Sequence, residues 1–152
     1  MRGDMGMKRL LIATVLLAAP ASVLLAAPAA AQVKFHPAWE GAPFSESAEV
    51  NGVLYLSGQI GSRADRTLPD GMEAQARQAM DNIRAAVERR GLTMDHVFKC
   101  TVMMADMRQW GDFNKIYITY FKPGRLPARS AFGANGLAMG ALLEVECMAS
   151  LR

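Results

Sequence analysis

Leu142-Leu-Glu-Val-Glu-Cys-Met-Ala-Ser-Leu151 reads as a strand with two unlike faces. Side chains alternate across a pleated strand, so Leu143, Val145, Cys147, Ala149 and Leu151 share one side while Leu142, Glu144, Glu146, Met148 and Ser150 share the other. The first side is a core face. The second carries two carboxylates between apolar neighbours, and leaving Leu142 and Met148 wet beside the apolar residues of adjoining strands favours self-association over that side.

Working back from this strand, Asn135 to Gly140 is a Gly-rich turn and Arg129 to Ala134 a short strand. Gly111 to Phe121 is a helix with Phe113, Ile116, Tyr117 and Tyr120 on its apolar face, stopped by Pro123 and Gly124. His96 to Ala105 is a strand apolar on both faces apart from Lys99 and Thr101, which predicts cover on both. Glu73 to Arg90 places Ala76, Ala79, Met80, Ile83, Ala86 and Val87 on one helical stripe, and Arg89, Arg90 and Gly91 suit its C-terminal end. Gly58 to Gly71 is a loop. Before it, Phe44 to Val50 and Val53 to Ser57 flank Asn51-Gly52, a pair that tolerates the positive φ of a type I′ hairpin turn. Gln32 to Ala42 reads as an extended arm. The order β-β-α-β-α-β-β predicts an α+β layer, a mixed sheet with two helices on one side.

The 152 residues are 51% hydrophobic and 20% charged, the balance of one globular domain rather than of a disordered or fibrous chain. Arg2, Lys8 and Arg9 precede an apolar run from Leu10 to Leu25, and Ala29-Ala30-Ala31 follows. This predicts a secretory signal peptide over residues 1–31, a single domain over 32–152, and a periplasmic or secreted protein without stable membrane association after cleavage. The competing reading is an uncleaved anchor, disfavoured by Pro20 and Pro28. Without the leader, 14 basic side chains face 13 acidic ones. A surface so nearly neutral lacks the basic stripe that nucleic acid demands. Cys100 and Cys147 either pair in an oxidising compartment or serve as two small buried hydrophobes, and their apolar strand contexts favour the second. His36 and His96 are isolated and no CxxC occurs, so no zinc site is predicted.

Ala42-Pro-Phe-Ser45, Leu56-Ser-Gly-Gln-Ile-Gly61, Ala74-Gln-Ala-Arg-Gln-Ala-Met-Asp-Asn-Ile83, Phe113-Asn-Lys-Ile-Tyr117, Pro127-Ala-Arg-Ser130 and Glu144-Val-Glu146 together resemble the RidA (YjgF) family, in order and spacing, over essentially all of residues 32–152. The resemblance implies a chorismate-mutase-like fold assembled as a homotrimer with its sheets facing inward and a site in each cleft between subunits. It implies hydrolysis of reactive 2-imino or 2-enamino acids to 2-oxo acids and ammonia, with neither metal nor organic cofactor.

By the same resemblance Arg129 is the substrate-binding arginine, whose planar fork takes a carboxylate through two parallel charge-assisted hydrogen bonds. Glu144 is the acid that orients or activates water, a task suited to a placed carboxyl group. Phe44, Ser57, Gly58, Asn114, Tyr117 and Ala131 match substrate-binding positions. Phe44 stands where many relatives have Tyr, so it offers a ring wall for a short side chain and no hydroxyl; Ala131 stands where relatives have Cys, so only its backbone can take part. Two other readings of this fold are a binding module that holds a small carboxylate without turnover and an oxidation-activated chaperone.

Overall fold

A computed structural model of the chain describes residues 31–152; the leader expected over 1–31 lies, but for Ala31, outside the described residues. The elements are β1 (Lys34–Pro37), β2 (Ser45–Val50), β3 (Val53–Leu56), β4 (Gln59–Ile60), α1 (Met72–Glu88), β5 (Val97–Met104), α2 (Trp110–Tyr117), β6 (Ala128–Gly133) and β7 (Leu143–Ser150). They form one mixed sheet ordered β1-β2-β3-β7-β5-β6, with β4 continuing beside β7. All pairings are antiparallel except β5 with β6, which α2 joins as a crossover.

The alternation along β7 comes out as expected. Leu143, Val145, Cys147 and Ala149 are buried, and so are Leu54 and Leu56 of β3 and Val97, Cys100, Val102 and Met104 of β5. On this face lie α1, through Ala76, Ala79, Met80, Ile83, Ala86 and Val87, and α2, through Phe113, Ile116 and Tyr117. Burying a side chain of Leu, Ile or Phe size contributes about 1.5–3 kcal/mol relative to exposure, so this layer supplies most of the driving force. Asn51 and Gly52 have φ of 51° and 78°, the conformation a type I′ turn requires.

Four readings of the sequence are corrected. The arm contains β1, which pairs with β2 from Lys34 to Pro37; as an edge strand that buries only His36, it has no alternation to read, and Pro37 sits at its end, where a missing N–H does no harm. The loop from Gly58 contains β4. The opposite face of β5 is not sealed within the chain, since Lys99, Thr101 and Met103 stay partly exposed there. Finally, Cys100 and Cys147 are bonded to each other. They lie directly opposite on β5 and β7, with Cα atoms 4.1 Å apart, and both are buried on the helix face. Apolar context and pairing are compatible; what the sequence lacked was the register that sets the two opposite.

The bond spans 47 residues of sequence, and on a chain-entropy basis a loop of that size is worth about 4 kcal/mol. Replacing both cysteines by alanine is expected to lower unfolding free energy by about 2–4 kcal/mol, read as the urea midpoint. Native protein denatured without reductant should show no titratable thiol.

Candidate functional site

Glu144 emerges from β7 on the side away from the helices, opposite Met103 of β5 and Ile60 of β4. Its surroundings come from a bulge between β3 and β4. Tyr55 pairs with Met148 and Gln59 with Val145, so the β3–β4 side carries one residue more than β7 does. That extra step brings the backbone of Gly58 under Glu144, and a Cβ at Gly58 would overlap Oε1 of Glu144. The resemblance implies that Gly58 admits a ligand; here it also admits the carboxylate.

Several side chains hold the bulge. Asn82 of α1 donates to the carbonyls of Ile60 (3.1 Å) and Ser62 (2.9 Å). Gln59 donates to the Ser57 and Gly58 carbonyls at 3.2 and 3.1 Å. Ser57 donates its hydroxyl to the Ser45 carbonyl at 2.6 Å, so it pins two strand ends beside the site. Buried Gln75 bonds Leu142 N–H at 2.9 Å and Pro69 O at 3.0 Å, tying the start of β7 to the loop before α1. Burial, and secondarily the charge of Glu146, push the Glu144 carboxyl above the usual glutamate range. Glu144 borders a cleft of about 520 Å³ whose walls include Trp39, Phe44, Gly58, Ile60 and Met139.

Arg129 occupies a different place. It lies on β6 opposite Cys100, so it projects toward the helices, where the ring centroids of Trp110, Tyr117 and Phe113 stand 4.2, 4.4 and 5.8 Å from its Cζ. Cation–π contact holds the guanidinium. Its Nη1 is buried without a hydrogen-bond partner, and its only charged or titratable neighbour of note among the described residues is Tyr117. Burial pulls the guanidinium below the usual arginine range, with Tyr117 opposing. Burial also pushes the Tyr117 hydroxyl up to about 12, Arg129 opposing. That hydroxyl and Asn114 Oδ1 are buried and unpartnered, so in this chain Tyr117 meets Arg129 rather than an open cleft. Ala131, paired with Val102, is on the same face as Arg129.

Two groups therefore form. One, outside the sheet's helix face, unites Glu144, Gly58 and Phe44, with Ser57 behind the bulge; the other unites Arg129 and Tyr117, with Ala131 on the same sheet face and Asn114 one turn before Tyr117 on α2. Arg129 and Glu144 point to opposite faces of the sheet, two strands apart, and do not meet within one chain. The first group presents a carboxyl group of raised basicity in an apolar-walled cleft. The second presents a cation with no anion. Among the described residues no three of His, Cys, Asp and Glu gather as a metal site, and no helix is long and apolar enough to cross a membrane.

No site role follows from the sequence for Trp110, Trp39, Ile60 or Met139, and Met139, which reads there as soft core filling, is instead 57% exposed. Trp110 was legible, because it precedes Phe113 by three and Tyr117 by seven and so extends their stripe by one turn; starting the helix at Gly111 hid it. Trp39 and Met139 belong to turns, where no periodicity marks a wall.

The mixed sheet, the helix pair on one face and the Arg129 and Glu144 motifs define a RidA-like α+β protein. The profile of the family described as Endoribonuclease L-PSP matches residues 37–151. Mouse 2-iminobutanoate/2-iminopropanoate deaminase is 37% identical over 109 residues, covering 70% of this chain and 80% of its own. A Rid-family protein of Yersinia pestis superposes with a TM-score of 0.72 at 34% identity, over 78% of this chain and 99% of that one. The YjgF gene product of E. coli superposes with a TM-score of 0.70 at 31% identity, over 77% and 94%. The chain belongs to this L-PSP, or RidA, family.

A group whose pKa is raised by folding favours the folded state while protonated and opposes it once ionised. Glu144→Gln is thus expected to unfold at higher temperature than the parent above about pH 5, with the gap closing as pH falls below the ordinary glutamate value of about 4.3. Melting curves across that range check it; a gap that widens in acid would contradict the raised carboxyl.

Proposed function

We propose that the chain hydrolyses 2-imino acids, and 2-enamino acids after tautomerisation, in a cleft completed by a second copy of itself within a homotrimer. The observation that carries this is Arg129: a half-buried guanidinium set among three rings, with an unpartnered N–H and no carboxylate beside it, is placed to take an anion as its ligand. A neighbouring copy that brings its Glu144 cleft to the Arg129 edge reconciles two groups that one sheet keeps on opposite faces. The partly open second face, with Tyr55, Phe132, Met103 and Met148, supports the assembly.

In that cleft the substrate carboxylate takes hydrogen bonds from Arg129, which fixes the C=N carbon. Glu144 accepts a proton from water as the water oxygen bonds to that carbon. The proton then reaches nitrogen, the C–N bond breaks, and the remaining hydroxyl proton leaves as the C=O forms. The balance is R–C(=NH2+)–COO− + H2O giving R–CO–COO− + NH4+. A carboxyl with raised pKa accepts and returns that proton more readily than an ordinary one at neutral pH. Asn114, Tyr117 and the Ala131 backbone shape the Arg129 side, and Phe44, Ser57 and Gly58 the Glu144 side.

The names of the mouse and related deaminases support this reading. The family description names a ribonuclease, but the two histidines are occupied elsewhere: His36 lies between Glu49 (2.5 Å) and Arg90 (2.7 Å), and His96 folds back on Thr93. Export to an oxidising compartment is part of this proposal; the basic start and apolar run of residues 1–31 and the bonded pair Cys100–Cys147 support it.

With 2-iminobutanoate generated in situ, the protein is expected to accelerate ammonia release above buffer, and Arg129→Ala to lower kcat/KM by about 10²-fold or more, since both orientation and charge are lost. Glu144→Gln is expected to lower kcat while leaving 2-oxobutanoate affinity near the parent value; retained affinity with no parental turnover would instead favour a binding module. Gly58→Ala should cost about 10²-fold in kcat/KM with little change in melting temperature, because the displaced group is the mobile end of Glu144.

A further inference from the structure

We infer that the Glu144 cleft contains a side-chain subsite, formed by Trp39, Phe44 and Met139, that selects 2-imino acids with aromatic or branched apolar side chains over those of three or four carbons. The inference rests on the reading of this cleft as the imine site and adds the substrate class. Trp39 and Phe44 meet edge to face with ring centroids 5.1 Å apart, yet they are 51% and 49% exposed, and Met139 is 57% exposed. In the single chain three large apolar side chains thus stand open beside Glu144, in a cleft that Glu46 and Arg66 also border. A methyl or ethyl substituent would reach little of this wall. A phenyl or isobutyl group would cover it, and a cleft of about 520 Å³ has room to spare.

The backbone supplies a second, independent sign. Among the described residues the non-glycine positions with positive φ are Asn51, Arg66 and Met139, at 51°, 64° and 59°. Asn51 is explained by its hairpin and Arg66 by the turn that Arg66 N–H closes on the Arg63 carbonyl at 3.0 Å. Met139 borders the Glu144 cleft, and a left-handed conformation is unfavourable for an unbranched side chain such as Met. Strain of this kind persists where surrounding structure holds it, and it concentrates at ligand-binding sites. Met139 brings a flexible thioether, suited to packing on aromatic rings, to the cleft that Trp39 and Phe44 also line. On the other side, the turn closed by Ala42 N–H to Trp39 O at 3.2 Å holds the indole. With the substrate carboxylate on Arg129 and its C=N carbon before Glu144, the substituent is left the apolar wall.

The test compares kcat/KM for imines released in situ by an amino-acid oxidase from alanine, 2-aminobutanoate, leucine and phenylalanine, each corrected for the buffer rate. The leucine- and phenylalanine-derived imines are expected to exceed the alanine-derived one by about tenfold or more, the discrimination that one or two buried apolar groups provide. Trp39→Ala and Met139→Gly are each expected to reduce that ratio severalfold, mainly through KM for the bulky imines. Met139→Gly also removes the strained φ, so its melting temperature should equal or exceed the parent's, which separates lost selectivity from lost folding. Hydrolysis of the small imines alone, or a ratio indifferent to both variants, overturns the subsite while the deaminase reading stands; no acceleration with any imine overturns that reading itself.

Discussion

The pleat of β7 couples the core to the chemistry. Because successive residues must face opposite ways, the same eight positions that put Leu143, Val145, Cys147 and Ala149 under α1 and α2 put Glu144 and Glu146 on the other side. A slip of one residue would bury both carboxylates and expose the core, so the register of the carboxylate is enforced by hydrophobic burial. The bulge at Ser57-Gly58 then turns a projecting side chain into a sheltered one. Gln75 and Asn82, polar residues of α1, transmit the helix's position to the start of β7, which carries Glu144, and to β4 beside it.

Arg129 and Glu144 are both half-buried and neither is in an ion pair, each on its own side of the sheet. Neither arrangement favours stability, since desolvation opposes both ionised forms. Together they have the sign pattern of a zwitterionic 2-imino acid in reverse: a cation for the carboxylate, and a carboxylate near the iminium. A single sheet cannot bring opposite faces together, which is why the proposed reading needs a second copy of the chain.

The parts of the fold that were legible are those in which burial writes a period into the sequence. The α1 stripe, the two faces of β7 and the Asn51-Gly52 turn are of this kind, and they came out at nearly the expected boundaries. β1 and β4 were not legible because edge and bulge strands are defined by what they pair with. The same reason separates the two cysteines' chemistry from their sequence: each looks like a buried hydrophobe, and only strand register shows that Cys100 faces Cys147. Arg129 and Glu144 stood out through their flanking motifs, whereas their placement on opposite faces depends on β5 lying between β6 and β7, an order that no local pattern carries. Trp39 and Met139 sit in turns whose conformation is set by neighbours distant in sequence.

The bond between Cys100 and Cys147 also divides the chain topologically. It closes a covalent ring that contains Trp110, Asn114, Tyr117, Arg129 and Glu144, while Phe44, Ser57 and Gly58 lie on the tail outside it. A peptide bond cut in the turns around Pro123 or Gly136 would therefore open the ring without releasing any piece of it, so a nicked protein stays one molecule until its sulfurs are reduced. One crosslink between the central strands thus keeps the two halves of a singly nicked 100–147 segment together.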